Sequence, residues 1–168
     1  MVGSLLYRSG PAKEWKETEI IPPMPLRTRR WNDPRQPGDG LRLLICRYRP
    51  RGLRKGKETW DEWRKELAPS PDLLAAFHGK RGLPPLSWPD YRKRYLAEMR
   101  ERTDAIDELA RRVGAGETLT LLCSSACTDP AHCHRTLLQG LIEVRVPGGK
   151  RSSSDSARAR RRGSGALP

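Results

Sequence analysis

LTLLCSSACTDPAHCHRTLLQGL, residues 119–141, passes from an apolar run into a polar loop and then into a helical pattern. Leu119–Cys123 is short and carries no charge, as a strand buried on both faces does. After the loop, Leu137, Leu138, Leu141 and Ile142 form one apolar stripe at helical spacing. A buried strand followed by a loop and a helix is the unit of α/β architecture, and such folds keep their ligands at that turn. Three of the four cysteines and two of the three histidines lie inside this stretch.

Helix phase assigns directions to these side chains. Four residues before Leu137 and Leu138 stand Cys133 and His134, which the phase places on the inward face, toward the loop holding Cys123 and Cys127. His132 and Arg135 are expected further round, at the rim. The pattern predicts a helix over about 131–144, with Asp129 as its cap and Pro130 at its first position, leaving backbone amides free for an anion. Three readings of the cluster stand side by side. Cys123, Cys127, Cys133 and either His132 or His134 offer the donor set of tetrahedral zinc, with His134 the one the helix phase turns inward, although no Cys-x-x-Cys knuckle is present. Cys127 or Cys133 beside a helix start, with His134 as base, makes a thiol nucleophile. The third reading is structural or simply anion-binding: a cysteine ending a buried strand behaves as a small hydrophobe. Cys127 and Arg135 are eight positions apart, so there is no Cys-x5-Arg phosphate loop of the tyrosine-phosphatase or rhodanese kind.

Upstream, Pro25–Trp31 alternates as a first strand. Residues 32–40 are turn-rich, and Leu41–Cys46 is a second buried strand. Arg47, Arg49 and Arg51 leave that strand in a basic loop, where Arg47 and Arg51 join Arg135 as candidate anion contacts. Trp60, Trp63 and Leu67 share one helical face and predict a helix over Thr59–Leu67. Ser70-Pro71 caps and starts a helix ending near Phe77, and Ser87 with Asp90 caps the next. Tyr91, Tyr95 and Met99, then Ile106, Leu109 and Val113, mark two helices broken near Thr103. The expected fold is therefore a single compact α/β domain, with a small, largely parallel sheet flanked by helices.

With 168 residues, 36% hydrophobic and 32% charged, the chain has one core's worth of apolar side chains, concentrated in its middle. This predicts a flexible N-terminal segment over 1–24, the α/β domain over 25–145 and a disordered basic tail over 146–168. From Arg145 onward seven basic residues face Asp155 alone, which is +6 of the net +13. Such a tail attracts phosphate polymers without sequence preference. No apolar run approaches the about 18 residues a membrane span needs. The start lacks a secretory signal pattern. Clustered cysteines without export point to a reducing, cytoplasmic setting.

Several separated motifs also resemble a known family. RRWNDP (29–34), DGLRLLICRYRPRG (39–52), WRKELAPS (63–70) and TLTLL (118–122) are similar to the YeaO-like branch of domain-of-unknown-function family 488 (DUF488), over about residues 26–143. The ending Cys133-His134-Arg135 resembles the Cys-His-Arg of the wider family. The branch usually has Asp where Cys46 stands and Trp where Arg49 stands. The resemblance implies a fold and a site location rather than a reaction, and it points to Arg47, Arg51, Glu66, His134 and Arg135. The combined expectation is a binder of an anionic partner (a nucleotide, a phosphorylated metabolite or nucleic acid) at the Cys/His/Arg turn, with structural zinc as a candidate cofactor. The alternative is a small enzyme using a Cys/His pair as nucleophile and base.

Overall fold

A computed structural model describes residues 25–80, 82 and 84–147. The expected flexible segment 1–24 and nearly all of the basic tail lie outside the described residues. Four strands, β1 (Leu26–Arg30), β2 (Leu41–Leu44), β3 (Glu62–Trp63) and β4 (Leu119–Cys123), form one sheet in the order β1-β4-β2-β3. Every pairing is parallel. Four helices accompany it: α1 (Pro71–Phe77), α2 (Trp88–Arg100), α3 (Thr103–Gly114) and α4 (His134–Glu143). No described helix is long and apolar enough to cross a membrane.

The helices begin where local chemistry says they should. The Ser70 hydroxyl accepts from the Leu73 N–H, and the Ser87 hydroxyl from the Asp90 N–H, each with proline at the helix start. Leu26, Leu43, Leu119 and Leu121, alternating along their strands, point to one face of the sheet. They share a core with Tyr95, Met99, Ile106, Leu109, Leu138 and Ile142 of the helices. The opposite face, where Arg42, Leu44, Thr120 and Leu122 are buried outside that cluster, has a different cover. β1 and β2 are parallel with β4 between them, so residues 31–40 must run back along the sheet, and they do so without a helix.

That crossover is a polar lid held by Asp39, which is 1% exposed. Its carboxylate accepts from Arg29 Nε (2.9 Å) and the Gln36 N–H (3.0 Å), and Arg42 Nε lies at 3.9 Å. The Thr120 hydroxyl donates to the Asp39 carbonyl at 2.6 Å, and Arg42 donates to the Asp33 carbonyl at 3.0 Å. Gly40 ends the lid with φ of +61°, and a Cβ there would run into the Thr118 carbonyl.

One expected element differs. Thr59–Leu67 is the edge strand β3 followed by a 3-10 turn over Lys65–Leu67. The unpaired edge of β2 decides this: the Asp61 N–H donates to the Arg42 carbonyl and the Arg64 N–H to the Leu44 carbonyl, both at 2.8 Å. A ladder partner outweighs the helical spacing of Trp60 and Trp63. The last helix is also shorter than expected. Asp129 caps a separate 3-10 turn, Pro130–His132; Cys133 is extended (φ −134°, ψ 140°), and α4 starts at His134.

Two stability predictions follow from the lid. Gly40→Ala combines a left-handed backbone with a collision, and should cost about 2–4 kcal/mol. The check is urea unfolding, where the midpoint should fall and the m-value stay constant. For Asp39, burial pushes the carboxyl pKa up, but bonds from Gln36 and Arg29 and the charges of Arg29 and Arg42 hold it below the ordinary value. A carboxyl depressed in the folded state stabilises it above the unfolded pKa, near about 3.9, and loses that contribution as pH falls through the folded value. Asp39→Asn should therefore destabilise by about 1–3 kcal/mol at neutral pH and flatten the acid limb of stability against pH. An unchanged acid limb would contradict the assignment.

Candidate functional site

The carboxyl ends of β2 and β4 open into a cavity of about 610 Å³, within the usual range of about 300–1,000 Å³ for small-ligand sites. The basic loop after β2, including Arg47 and Arg51, lines one side, and Ser124–Asp129 the other. Phe77 from the end of α1 and Tyr91 from α2 supply an aromatic wall. Tyr91 stacks on Trp88 (5.4 Å between centroids, 23°), and Trp88 meets the His132 ring edge-on at 5.3 Å.

Cys46, Cys123, Cys133 and His134 also line the cavity, at its inner end. Cys123, Cys133 and His134 are all buried, and one donor atom from each lies within 4.8 Å of the others. The Cys123 thiol donates to the Cys127 sulfur at 3.4 Å. The His134 ring is buried, and its Nε2 lies 3.0 Å from the Ile45 carbonyl. Desolvation lowers its pKa and outweighs the raising effect of that bond, so the ring is neutral. With the proton on Nε2 and donated to Ile45, Nδ1 keeps its lone pair, and the Cys123 sulfur lies against the ring, 3.8 Å from Nδ1 and 3.7 Å from Nε2.

The thiols share their protons unequally. Cys127, half-buried at the cavity wall, is held far below the ordinary thiol range by hydrogen bonds from Cys123 and Cys133, with the Arg135 charge adding to the effect. Cys123 is pushed up because it donates to Cys127 and also bonds Cys133 and Cys46, and burial adds to this. Cys133 rises too: its bond with Cys123 pulls down, but its bond with Cys127 and its burial prevail. Burial and the thiol hydrogen bonds thus favour the protonated form at Cys123 and Cys133 and the thiolate at Cys127.

The arginines depart most from expectation. Arg135 is not at the rim; it is 4% exposed. Because α4 starts only at His134, its second residue lies beneath the Ser124–Thr128 loop, where NH2 donates to the Cys127 carbonyl at 3.4 Å. Its Nε and NH1 are buried and have no hydrogen-bond partner. Arg47 lines the cavity, yet its guanidinium donates to the carbonyls of Pro69 (2.8 Å) and Ala68 (3.0 Å), tying the loop to the start of α1. Arg49 is paired with Glu58 at 2.6 Å. Arg51 is exposed and has no ion-pair or hydrogen-bond partner among the described residues. Glu66 is bound to Arg64 Nε at 2.6 Å and takes no part in the cavity lining. The amides of Ala126 and Cys127 turn inward, onto the Ser124 hydroxyl and carbonyl. The turn is therefore more self-satisfied than a bare helix start.

Sequence reasoning missed Cys46 as a member of the cluster. Its only signal was its place at the end of a strand next to β4.

Comparison with known proteins places the chain. A family model described as the active DUF488-N3 subclade matches residues 26–146. The uncharacterized protein YeaO of Escherichia coli is 36% identical over 109 residues, covering 65% of this chain and 90% of YeaO. The uncharacterized protein Rv3073c of Mycobacterium tuberculosis is 28% identical over 109 residues, covering 65% of this chain and 86% of that protein. No solved structure matches. The match spans every strand and helix that builds the cavity, and the chain belongs to the DUF488 family, in its YeaO-like branch.

Proposed function

We propose that this domain binds a small anionic molecule carrying a planar ring, of the class of nucleotides and ring-bearing phosphorylated metabolites, in the cavity between the Arg47–Arg51 loop and the β4–α4 turn. One observation carries the reading: a concave pocket at the carboxyl edge of a parallel sheet combines an aromatic wall, Phe77 and Tyr91, with an unpaired arginine, Arg51, at its lip. The ring would lie against the aromatic wall and the anion would take the guanidinium fork. Arg47 serves as a positioning residue, since its donors already brace the loop on Pro69 and Ala68. The description of the matched subclade as active is in keeping with an intact site.

The concavity favours a small ligand over a nucleic-acid polymer, which would need an open basic surface. The nucleophile–base reading of Cys127 or Cys133 with His134 has less behind it. One ring nitrogen of His134 faces a carbonyl, and Cys123, at the end of a strand, is in contact with the ring.

Thermal melts against a panel of nucleotides, sugar phosphates and their unphosphorylated counterparts test the reading. A true ligand at about 100 times its Kd adds about 2.7 kcal/mol, which for a chain of this size raises Tm by about 5–10 °C. Arg51→Ala should abolish the shift and leave the unliganded Tm unchanged. If no phosphorylated compound shifts the melt, or the shift survives in Arg51→Ala, the pocket is not an anion site. Binding confined to polynucleotides and lost by about 200 mM salt would instead mark nonspecific attraction to the basic chain.

A further inference from the structure

We propose that Cys123, Cys127, Cys133 and His134 hold a thiophilic divalent cation of the zinc class, closing the inner end of the cavity. The geometry comes first. A tetrahedral zinc with Zn–S of about 2.3 Å and Zn–N of about 2.0–2.1 Å separates its ligand atoms by about 3.8 Å between sulfurs and about 3.6 Å between sulfur and nitrogen. Here Cys123 and Cys127 sulfurs are 3.4 Å apart, and Cys123 Sγ lies against the His134 ring, 3.8 Å from Nδ1 and 3.7 Å from Nε2, so ligation requires the ring to turn until Nδ1 faces the sulfurs. Cys133 joins Cys123 and His134 in one buried set within 4.8 Å. Side-chain rotations of His134 and Cys127 would bring four donors to tetrahedral spacing, with the Cys127 backbone held in place by its bonds to Ser124 and Arg135.

The surroundings support the same assignment. Metal-bound histidines as a rule donate their second ring N–H to a carbonyl or carboxylate, which fixes the tautomer. His134 does this to Ile45, at 3.0 Å. Charge balance gives an independent argument. Three thiolates and a neutral imidazole around a dication carry a net charge of −1. Beside them lies Arg135, 4% exposed, with Nε and NH1 lacking any hydrogen-bond partner and NH2 against the Cys127 carbonyl. A buried, unpaired guanidinium is costly unless a negative centre sits near it. Asp33 lies within the electrostatic reach of Arg135, and the thiolate-rich ion would add a second negative centre on the side of the Cys127 carbonyl that Arg135 binds.

With four protein ligands the ion has no open position. Its work is to lock the end of β4, the Ser124–Thr128 loop and the first residue of α4 into one unit. Cys46 and Cys127 both lie outside the mutually close set of three; the fourth corner goes to Cys127 because its sulfur is 3.4 Å from that of Cys123.

The test uses the full chain, produced without a histidine tag in zinc-supplemented medium and passed over a chelating resin. Elemental analysis should give about one zinc per chain. X-ray absorption should give a shell of three sulfurs near about 2.3 Å and one nitrogen near about 2.0 Å. Replacing zinc with cobalt should produce sulfur-to-cobalt charge-transfer bands and tetrahedral d–d bands. Cys127→Ser and Cys133→Ser should each weaken zinc binding by more than about 100-fold, beyond what outer partners cost, and Arg135→Gln by about 10–100-fold. Cys46→Ser should retain the ion. If Cys133→Ser does not fold, the absorption shell of the natural chain still decides. A chain that stays metal-free after equilibration with zinc overturns the proposal, as does an oxygen-dominated shell or loss of the ion in Cys46→Ser. These readouts involve metal alone, so they stand or fall separately from anion binding.

Discussion

The domain depends on the two-sided pairing of β4. Leu119–Cys123 is buried along its whole length, and its register sets Leu119 beside both Leu26 and Leu41. A strand paired on both edges and covered on both faces has no tolerance for a slip, since one residue would exchange its two faces. The late strand thus becomes the axis on which the two early ones are arranged. It also fixes where the chemistry goes: β4 ends in Cys123, β2 runs out into Cys46 and the basic loop beside it, and α4 returns His134 to the same point.

The sheet's two faces are stabilised differently. One packs leucines against helices; the other is closed by a helix-free crossover whose interior is ionic. The Asp39 network carries more weight than the surface pairs because it is desolvated, and a buried pair that loses one partner leaves an expensive orphan. Near β3 the charges are more numerous and more exposed. Arg64 binds Glu66 and Glu108, and Arg112 binds Glu117 and Glu62. Exposed pairs contribute little singly. Together they tie the two-residue strand β3 and the following turn to α3, which such a short strand needs.

Much of this was legible in the sequence, and for local reasons. Ser70-Pro71 and Ser87 carry their capping chemistry with them, and an uncharged run such as 119–123 has few places to go but the sheet centre. The misreadings share a different cause. β3 exists because β2 has an unpaired edge nineteen residues away, which no window around Trp60 reveals. The burial of Arg135 turns on a one-residue break at Cys133 between two helical segments, and phase counting through a continuous helix put it outside. Asp39 read as a turn residue, and Cys46 as the end of a strand; their roles come from neighbours distant in sequence.

The two ends of the cavity are held unequally. The inner end is set by backbone: the Trp31 N–H is bound to the Cys123 carbonyl and the Ile45 N–H to that of Leu122. The outer wall is a loop whose tip includes Gly52 and Gly56, neither with any atom within 4 Å of where a side chain would begin. Insertions at such a tip cost little closure entropy, and what they would disturb is the bonding of Arg49 to the Leu53 and Arg54 carbonyls. Changes at Pro50 and Arg51, which line the cavity at the edge of that open tip, would therefore alter what the pocket admits while leaving its sulfur-lined end in place.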